Sequence, residues 1–378
     1  MSTSGWIDFS GSLDAMTEPT DRRPVVMLLS SGGASRDLAM AFERLGAVAH
    51  TVNQGADVDV LNSWIDEEKP AYVVADSAEI SADVLIAAAE HDAVEVFPTP
   101  RGARLSLDRE GLRRLAADEL GLPTVPFWFA GSDDELAAVA KHAGFPLVVT
   151  PVAGTPADGQ SVLTRQDDVE PAWHRAIAAG HAPNRVLVET VVDVDDEVTM
   201  LTVRSVGPSG PTVQFCEPIG HRQSDGGPLE TWQPHLMSPA ALDAARSIAA
   251  RIVNSLGGRG VFNVELLVRD DEVYFSSVRP RPDDVGLVTL RSQRLSQFEL
   301  HARAILGLSI DTIMISPAAA EVWHDGPGTG VLADALDVPE SDVRLLDGLS
   351  VALATAPDVV RARDRAHQVL AALRKPES

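Results

Sequence analysis

Phe262-Asn263-Val264-Glu265-Leu266-Leu267-Val268 is followed, after the polar turn Arg269-Asp270-Asp271-Glu272, by Val273-Tyr274-Phe275-Ser276-Ser277-Val278-Arg279-Pro280-Arg281-Pro282-Asp283-Asp284. The two runs read as adjacent strands joined by a tight turn. The first carries one acidic residue, Glu265, in an otherwise apolar run. A carboxylate in a buried strand needs a partner, because an unpaired buried charge is too costly to keep. Two partners suit it: Mg2+, as at many phosphate sites, or a nearby guanidinium such as Arg279 or Arg281. The second strand has no carboxylate to complete a metal pair; it has Ser277.

Composition bounds what lies around this hairpin. The chain has 378 residues, 45% of them hydrophobic, enough for two or three domains with real cores. The 55 acidic residues against 31 basic ones give a formal charge of -24. Such a charge disfavours nonspecific binding to nucleic acid or to an anionic membrane surface. The single cysteine, Cys216, excludes an intrachain disulfide and a cysteine-based zinc site, and reads as a core residue. No run of about 18 apolar residues is present to cross a membrane. Residues 1–23 are polar and read as a loose tail, with no leader-type apolar core, so the expected location is the cytoplasm.

Upstream of the hairpin, short apolar runs alternate with helical spacing. Val25–Leu29, Val48–Val52, Ala71–Ala75 and Val94–Phe97 are expected strands, with a helix over Arg36–Leu45. That alternation predicts a parallel sheet in an α/β domain. Asp108–Leu120 and Asp133–Ala143 are expected helices, stopped by Gly121-Leu122-Pro123 and Gly144-Phe145-Pro146. Pro146–Pro151, Arg185–Glu189, Asp196–Val203 and Thr212–Cys216 are expected strands, and Ala240–Leu256 a long helix. Beyond Leu308, short strands are expected at Val331–Ala333, Val343–Leu346 and Leu349–Leu353, with a last helix over Ala356–Leu373.

The ordered motifs Asp108-Arg109-Glu110-Gly111-Leu112-Arg113-Arg114, Gly220-His221-Arg222-Gln223, Glu230-Thr231-Trp232-Gln233-Pro234, Val264-Glu265-Leu266, Pro280-Arg281-Pro282 and Val351-Ala352-Leu353-Ala354-Thr355-Ala356 carry a resemblance. From about Val25 to the last helix the chain resembles the ATP-grasp superfamily, and within it the formate-dependent phosphoribosylglycinamide formyltransferases of purine synthesis. The fold this implies is mixed α/β and α+β. An N-terminal parallel-sheet domain (24–105) precedes a central ATP-grasp domain (106–313) and a small β-rich C-terminal module (314–378). The resemblance also implies ATP and Mg2+ as cofactors, a small-molecule amine and carboxylate as substrates, and a homodimer. Arg109, Gly159 and Gln160 fall on phosphate contacts, Glu189 and Val192 on the adenine edge, and Glu197 on the ribose hydroxyls. Glu265 falls on a Mg2+ ligand and Asp284 on a substrate contact. The family forms formyl phosphate from formate and ATP, and an amine then attacks it.

The departures from that pattern cluster on the chemistry. Thr150 stands where the family has a lysine on the ATP phosphates. The phosphate loop reads Thr155-Pro156-Ala157-Asp158-Gly159-Gln160, with one donor removed by Pro156 and a negative charge added by Asp158. Ser277 replaces the second Mg2+ carboxylate. Gly33-Ala34 and Ala78 replace substrate-binding residues, although Asp76 and Glu79 flank Ala78. Leu346-Asp347-Gly348-Leu349 lacks the basic pair that holds the substrate phosphate. One preorganised charge at a reacting centre is worth roughly 3 kcal/mol. Three readings follow: the family reaction with a modified site, a noncatalytic relative acting through a partner, or a carboxylate–amine ligase whose acceptor lacks a phosphate. His221 is expected in a polar loop, as a lid or a surface residue, and Trp232 between domains.

Overall fold

A computed structural model describes residues 23–30, 35–53, 58–77, 80–153, 159–179, 184–223, 226–324, 332–346 and 348–374. Three sheets organise it. The first comprises β1 (Val25–Ser30), β2 (Val48–Asn53), β3 (Tyr72–Ala75) and β4 (Glu95–Phe97), all parallel, in the order β2-β1-β3-β4. This is the expected parallel sheet, with helices Ser35–Arg44, Val58–Glu68 and Ala82–Ala89 as crossovers. The second is antiparallel, β5 (Phe127–Ala130), β6 (Leu147–Pro151), β7 (Ser161–Leu163) and β8 (Val186–Thr190), ordered β5-β8-β6-β7.

The third sheet has nine strands. They are β9 (Asp196–Gly207), β10 (Gly210–Phe215), β11 (Ile219–Gln223), β12 (Leu229–Gln233), β13 (Gly260–Arg269), β14 (Glu272–Arg279), β15 (Ala318–Trp323), β16 (Ser341–Leu346) and β17 (Leu349–Thr355). The order is β14-β13-β9-β11-β12-β15-β17-β16, with β10 and β11 on the same edge of β9. The last three strands therefore continue the central sheet through the β12–β15 pairing.

Alternation along the strands separates the two faces of this sheet. Val198, Met200, Phe262, Val264, Leu266, Val273 and Phe275 bury one face under the helix Pro239–Leu256. That helix starts at the N-cap Ser238 with Pro239 in its first turn and ends at Gly257, whose φ of 71° is a left-handed stop. Its Ala241, Ala245, Ile248, Ala249, Ile252, Val253 and Leu256 recur at helical spacing and are all buried. On the opposite face, Leu201, Val203 and Val261 join one continuous core with Val26, Leu28, Phe42, Val285, Leu300 and Val351. The parallel sheet, the large sheet and the C-terminal strands thus share a single apolar cluster.

Several local expectations change. Residue 331 lies outside the described residues, and Leu332–Leu336 is helical, not a strand. Leu332 and Leu336 sit one turn apart around the buried Ala335, which suits a short helix. The helix from Asp108 divides: Asp108 caps Arg109–Arg114, which passes into a π-helical turn over Leu115–Glu119. The last helix begins at Val359 because Asp358 caps it and Pro357 precedes. Strands β5, β7, β11, β12 and β15 had no clear sequence signal. In β15, Ala318-Ala319-Ala320-Glu321-Val322-Trp323 is alanine-rich, and pairing on both edges imposes its extended form.

Candidate active site

The site residues gather in three groups. The first lies around β6 and β8. Asp108 accepts the Gly111 backbone N–H at 2.9 Å and so starts the short helix that carries Arg109 and Arg113. Arg109 Nη1 donates to the Pro151 carbonyl at 2.8 Å, and its own backbone N–H reaches the Val152 carbonyl at 3.3 Å. Neither Asp108 nor Glu110 takes its guanidinium; Glu110 pairs with Arg114 and Arg185. One turn on, Arg113 donates from Nη1 to the Phe275 carbonyl at 2.9 Å and from Nη2 to Glu189 Oε1 at 2.5 Å. Burial lowers the pKa of both arginines, and the Glu189 carboxylate opposes that shift. Gly159 is packed so closely that a Cβ there would lie 2.9 Å from the Pro151 ring. Arg109, Pro151, Gly159, Arg113 and Glu189 therefore form one neighbourhood, with buried Thr150 next to it. Gln160 is exposed, and Val192 is half-buried just past the end of β8. Thr155, Pro156, Ala157 and Asp158 lie outside the described residues, as do Gly33, Ala34, Ala78, Glu79 and Asp347.

The second group occupies the face of the large sheet opposite the long helix. A β-bulge lies between β13 and β14: Glu265 pairs with Ser277, whereas Leu266 pairs with Phe275, leaving Ser276 extra. The bulge reverses the alternation of β14, so Phe275 is buried under the helix while Ser277 and Arg279 reach the face of Glu265. Ser277 donates its hydroxyl to Glu265 Oε2, and Arg279 Nη1 donates to Glu265 Oε1. The same Nη1 contacts Asp283 Oδ2 at 3.1 Å. Burial acts to raise the Glu265 pKa, but Arg279 and Ser277 more than offset it and hold the carboxyl below its usual range. Asp283, more deeply buried, is shifted upward by desolvation despite Arg279. Asp283 Oδ1 also accepts from the Gly286 backbone at 3.2 Å, so it caps its loop as well.

His221 is on strand β11, not in a loop, and its side chain is only 10% exposed. Its Nδ1 stands 3.8 Å from the exposed Glu197 carboxylate on β9. Cross-strand pairing puts Thr199 opposite Glu265 and Thr231 opposite His221, and Asn263 lies two residues from Glu265 on the same face. Thr199 Oγ1, Thr231 Oγ1, His221 Nε2 and Asn263 Oδ1 are all buried without a hydrogen-bond partner among the described residues. Four such atoms on one strip of sheet form a polar floor, since buried polar groups ordinarily find partners.

The third group links the parallel sheet to the large one. Asp76 follows β3 and interacts with Ser30, Ser35 and, electrostatically, Arg281. Burial pushes its pKa up to about 6. Asn263 Nδ2 donates to the Arg281 carbonyl at 2.9 Å, which ties this group to the polar floor. Asp284 is partly exposed and 3.2 Å from His324 Nε2. Cys216 is buried, donates to Gln293 and has its pKa pushed up to about 12 by burial, which leaves it an unreactive core thiol.

Comparison with known proteins decides the family. The ATP-grasp domain model matches residues 115–298. The formate-dependent phosphoribosylglycinamide formyltransferase of Corynebacterium glutamicum (strain R) is 44% identical over 95% of this chain and 96% of its own length. This chain belongs to the formate-dependent phosphoribosylglycinamide formyltransferase family. The relatives of that name from Rhodococcus jostii and Burkholderia mallei are 45% and 46% identical, covering 91% and 92% of this chain and 93% and 95% of their own. Among solved structures, glycinamide-RNase-transformylase T from Mycobacterium tuberculosis superposes with a TM-score of 0.80 at 50% identity, covering 92% of this chain and 99% of that one. An N5-carboxyaminoimidazole ribonucleotide synthetase in complex with ADP superposes equally well, TM-score 0.80, at 19% identity, over 92% of this chain and 97% of that one. That likeness shows the shared ATP-grasp fold. The family's Mg2+ pair does not fit the residues present: Ser277 supplies no charge, and Glu265 is already taken by Arg279. Among the described residues no three His, Cys, Asp or Glu side chains converge as a metal cluster.

The sequence had named Glu265, Ser277 and Arg279 without their shared face, which depends on the bulge. Arg113 was visible only as part of a helical motif. The Asp76–Arg281 link joins residues about two hundred positions apart, a separation that no local pattern reports.

Proposed function

We propose that this protein uses ATP to activate a small carboxylate and passes it to an amine, the chemistry for which its formyltransferase relatives are named. The strip of unpartnered polar atoms around Glu265 carries this reading: Thr199, His221, Thr231 and Asn263 offer hydrogen bonds to a polar ligand that the protein itself does not supply. In the proposed reaction a formate oxygen attacks the γ-phosphorus of ATP. The bond to the bridging oxygen breaks, and ADP leaves with its electron pair. The amine then attacks the carbon of the formyl phosphate, the carbon–oxygen bond to phosphate breaks, and the amine proton goes to solvent. Arg109, Gly159 and Gln160 hold phosphate, Glu189 and Val192 the adenine edge, Glu197 the ribose hydroxyls, and Asp284 the amine. Any Mg2+ would come as the counter-ion of the ATP phosphates, with no ligand pair from Glu265 and Ser277. The protein works in the cytoplasm as a homodimer on small molecules.

A second reading, an acceptor without a phosphate, has its own support. Arg344 on β16 and Arg291 are both paired with Asp342, and the Leu346–Leu349 turn itself carries no basic residue. ADP release is the test, with formate and either phosphoribosylglycinamide or glycinamide lacking the phosphate. Turnover that requires the phosphorylated acceptor supports the family reaction. Turnover with both acceptors alike supports the second reading. ATP binding without turnover on either acceptor, with enzyme in excess, leaves a noncatalytic nucleotide-binding relative.

A further inference from the structure

We propose that Arg279 is a built-in cation that takes the place of the divalent ion at Glu265, so that this centre binds no metal. Three observations converge on it. The residue opposite Glu265 is Ser277, a neutral hydroxyl, where a two-carboxylate site needs a second charge. Ser277 is turned to the same carboxylate and donates to Oε2, while Arg279 donates to Oε1, so both oxygens are engaged by donors. Each oxygen keeps a second lone pair, but the guanidinium charge set against Oε1 already neutralises the carboxylate and repels an incoming cation. Arg279 also reaches Asp283, so one guanidinium bridges two carboxylates that a metal would otherwise collect.

The charge arithmetic agrees. Glu265 and Asp283 carry two carboxyl groups, and Arg279 supplies one fixed positive charge between them. A divalent ion added there would have to displace a guanidinium that is partly desolvated and held by two carboxylates. An arginine always carries its charge at physiological pH and cannot be removed by a chelator. About a third of its side chain remains accessible, and a guanidinium has five N–H donors, so it retains donors for an anionic ligand.

The inference concerns metal binding alone and does not rest on turnover. The test is Mn2+ titration of the full chain, followed by the free-ion paramagnetic resonance signal, with and without a nonhydrolysable ATP analogue. The expected result is that Glu265→Gln changes Mn2+ affinity less than twofold. A Ser277→Glu, Arg279→Ser double variant should gain a site at least tenfold tighter, and Glu265→Gln in that background should remove it. A tenfold loss of Mn2+ affinity on Glu265→Gln in the otherwise native chain would overturn the proposal. So would a double variant that melts like the native protein yet gains no site. If the double variant does not fold, the native and Glu265→Gln pair still decides. If the ATP analogue fails to bind, the nucleotide reading fails, and the titrations with Mn2+ alone still decide the question of the metal.

Discussion

Asp76 is a single buried group that carries a pH-dependent cost in stability. Its carboxyl sits between the parallel sheet and Arg281, and burial raises its pKa from 3.8 to about 6. Between those two values the folded chain binds more protons than the unfolded chain, so stability falls as pH rises through this window. Above about pH 6 the penalty for the ionised form is fully present. Asp76→Asn removes the charge and retains an acceptor for Ser30 and Ser35. We expect it to raise the stability at pH 7.5 by on the order of 1–3 kcal/mol, at about 1.4 kcal/mol per pKa unit, and with it the melting temperature. At pH 4 the two proteins should melt together. Melting curves at both pH values check this; an equal gain at pH 4 would mean that charge is not the cause.

At the scale of an element, strand β11 depends on a glycine. Gly220 pairs with Trp232 on β12, and a Cβ at Gly220 would fall 2.3 Å from the indole ring. The indole therefore lies across the backbone of β11, in a space that only the absent side chain leaves open. His221, the next residue, points to the opposite face and lines the polar floor. A Gly220→Ala change should force the indole to shift, at about 1–3 kcal/mol for overpacking. It should appear as a lower urea midpoint with an unchanged slope. Trp232 Nε1 also donates to His235 at 3.2 Å, so a shifted ring should be visible in its fluorescence spectrum.

For the molecule as a whole, the C-terminal strands are part of the central sheet and do not stand apart. β15 pairs with β12, and the helix Val359–Leu373 packs back on the same strands. Arg363 on that helix holds both oxygens of Glu230 at 2.7 and 3.0 Å and lies 4.1 Å over the Trp232 ring. Arg363→Ala should cost about 2 kcal/mol, the scale of charged hydrogen bonds and a cation–π contact. The loss should appear in the whole unfolding transition. We expect Trp fluorescence and far-ultraviolet circular dichroism to give coincident curves in urea, before and after the change. A separate early transition in the variant would show that the C-terminal strands unfold alone.

The sequence by itself determined the α/β start, the long helix over Ala240–Leu256, the Phe262–Arg279 hairpin and the family. These rest on local periodicity, on the Gly257-Gly258 stop and on motif order, all of which are written along the chain. It also named Glu265, Ser277 and Arg279 as residues whose relation mattered, and left Glu265 open between a metal and an arginine. Only the tertiary structure brought them together. Strict alternation would put Phe275, Ser277 and Arg279 on one face of β14; the bulge at Ser276 divides them, because Phe275 is held in the core under the helix while Ser277 and Arg279 turn to Glu265. Likewise, Arg113 bridging Phe275 and Glu189, and Arg281 approaching Asp76, join positions far apart in the chain. Such pairings arise from how whole sheets dock on one another, and docking depends on burial across many residues at once, which local sequence patterns do not encode.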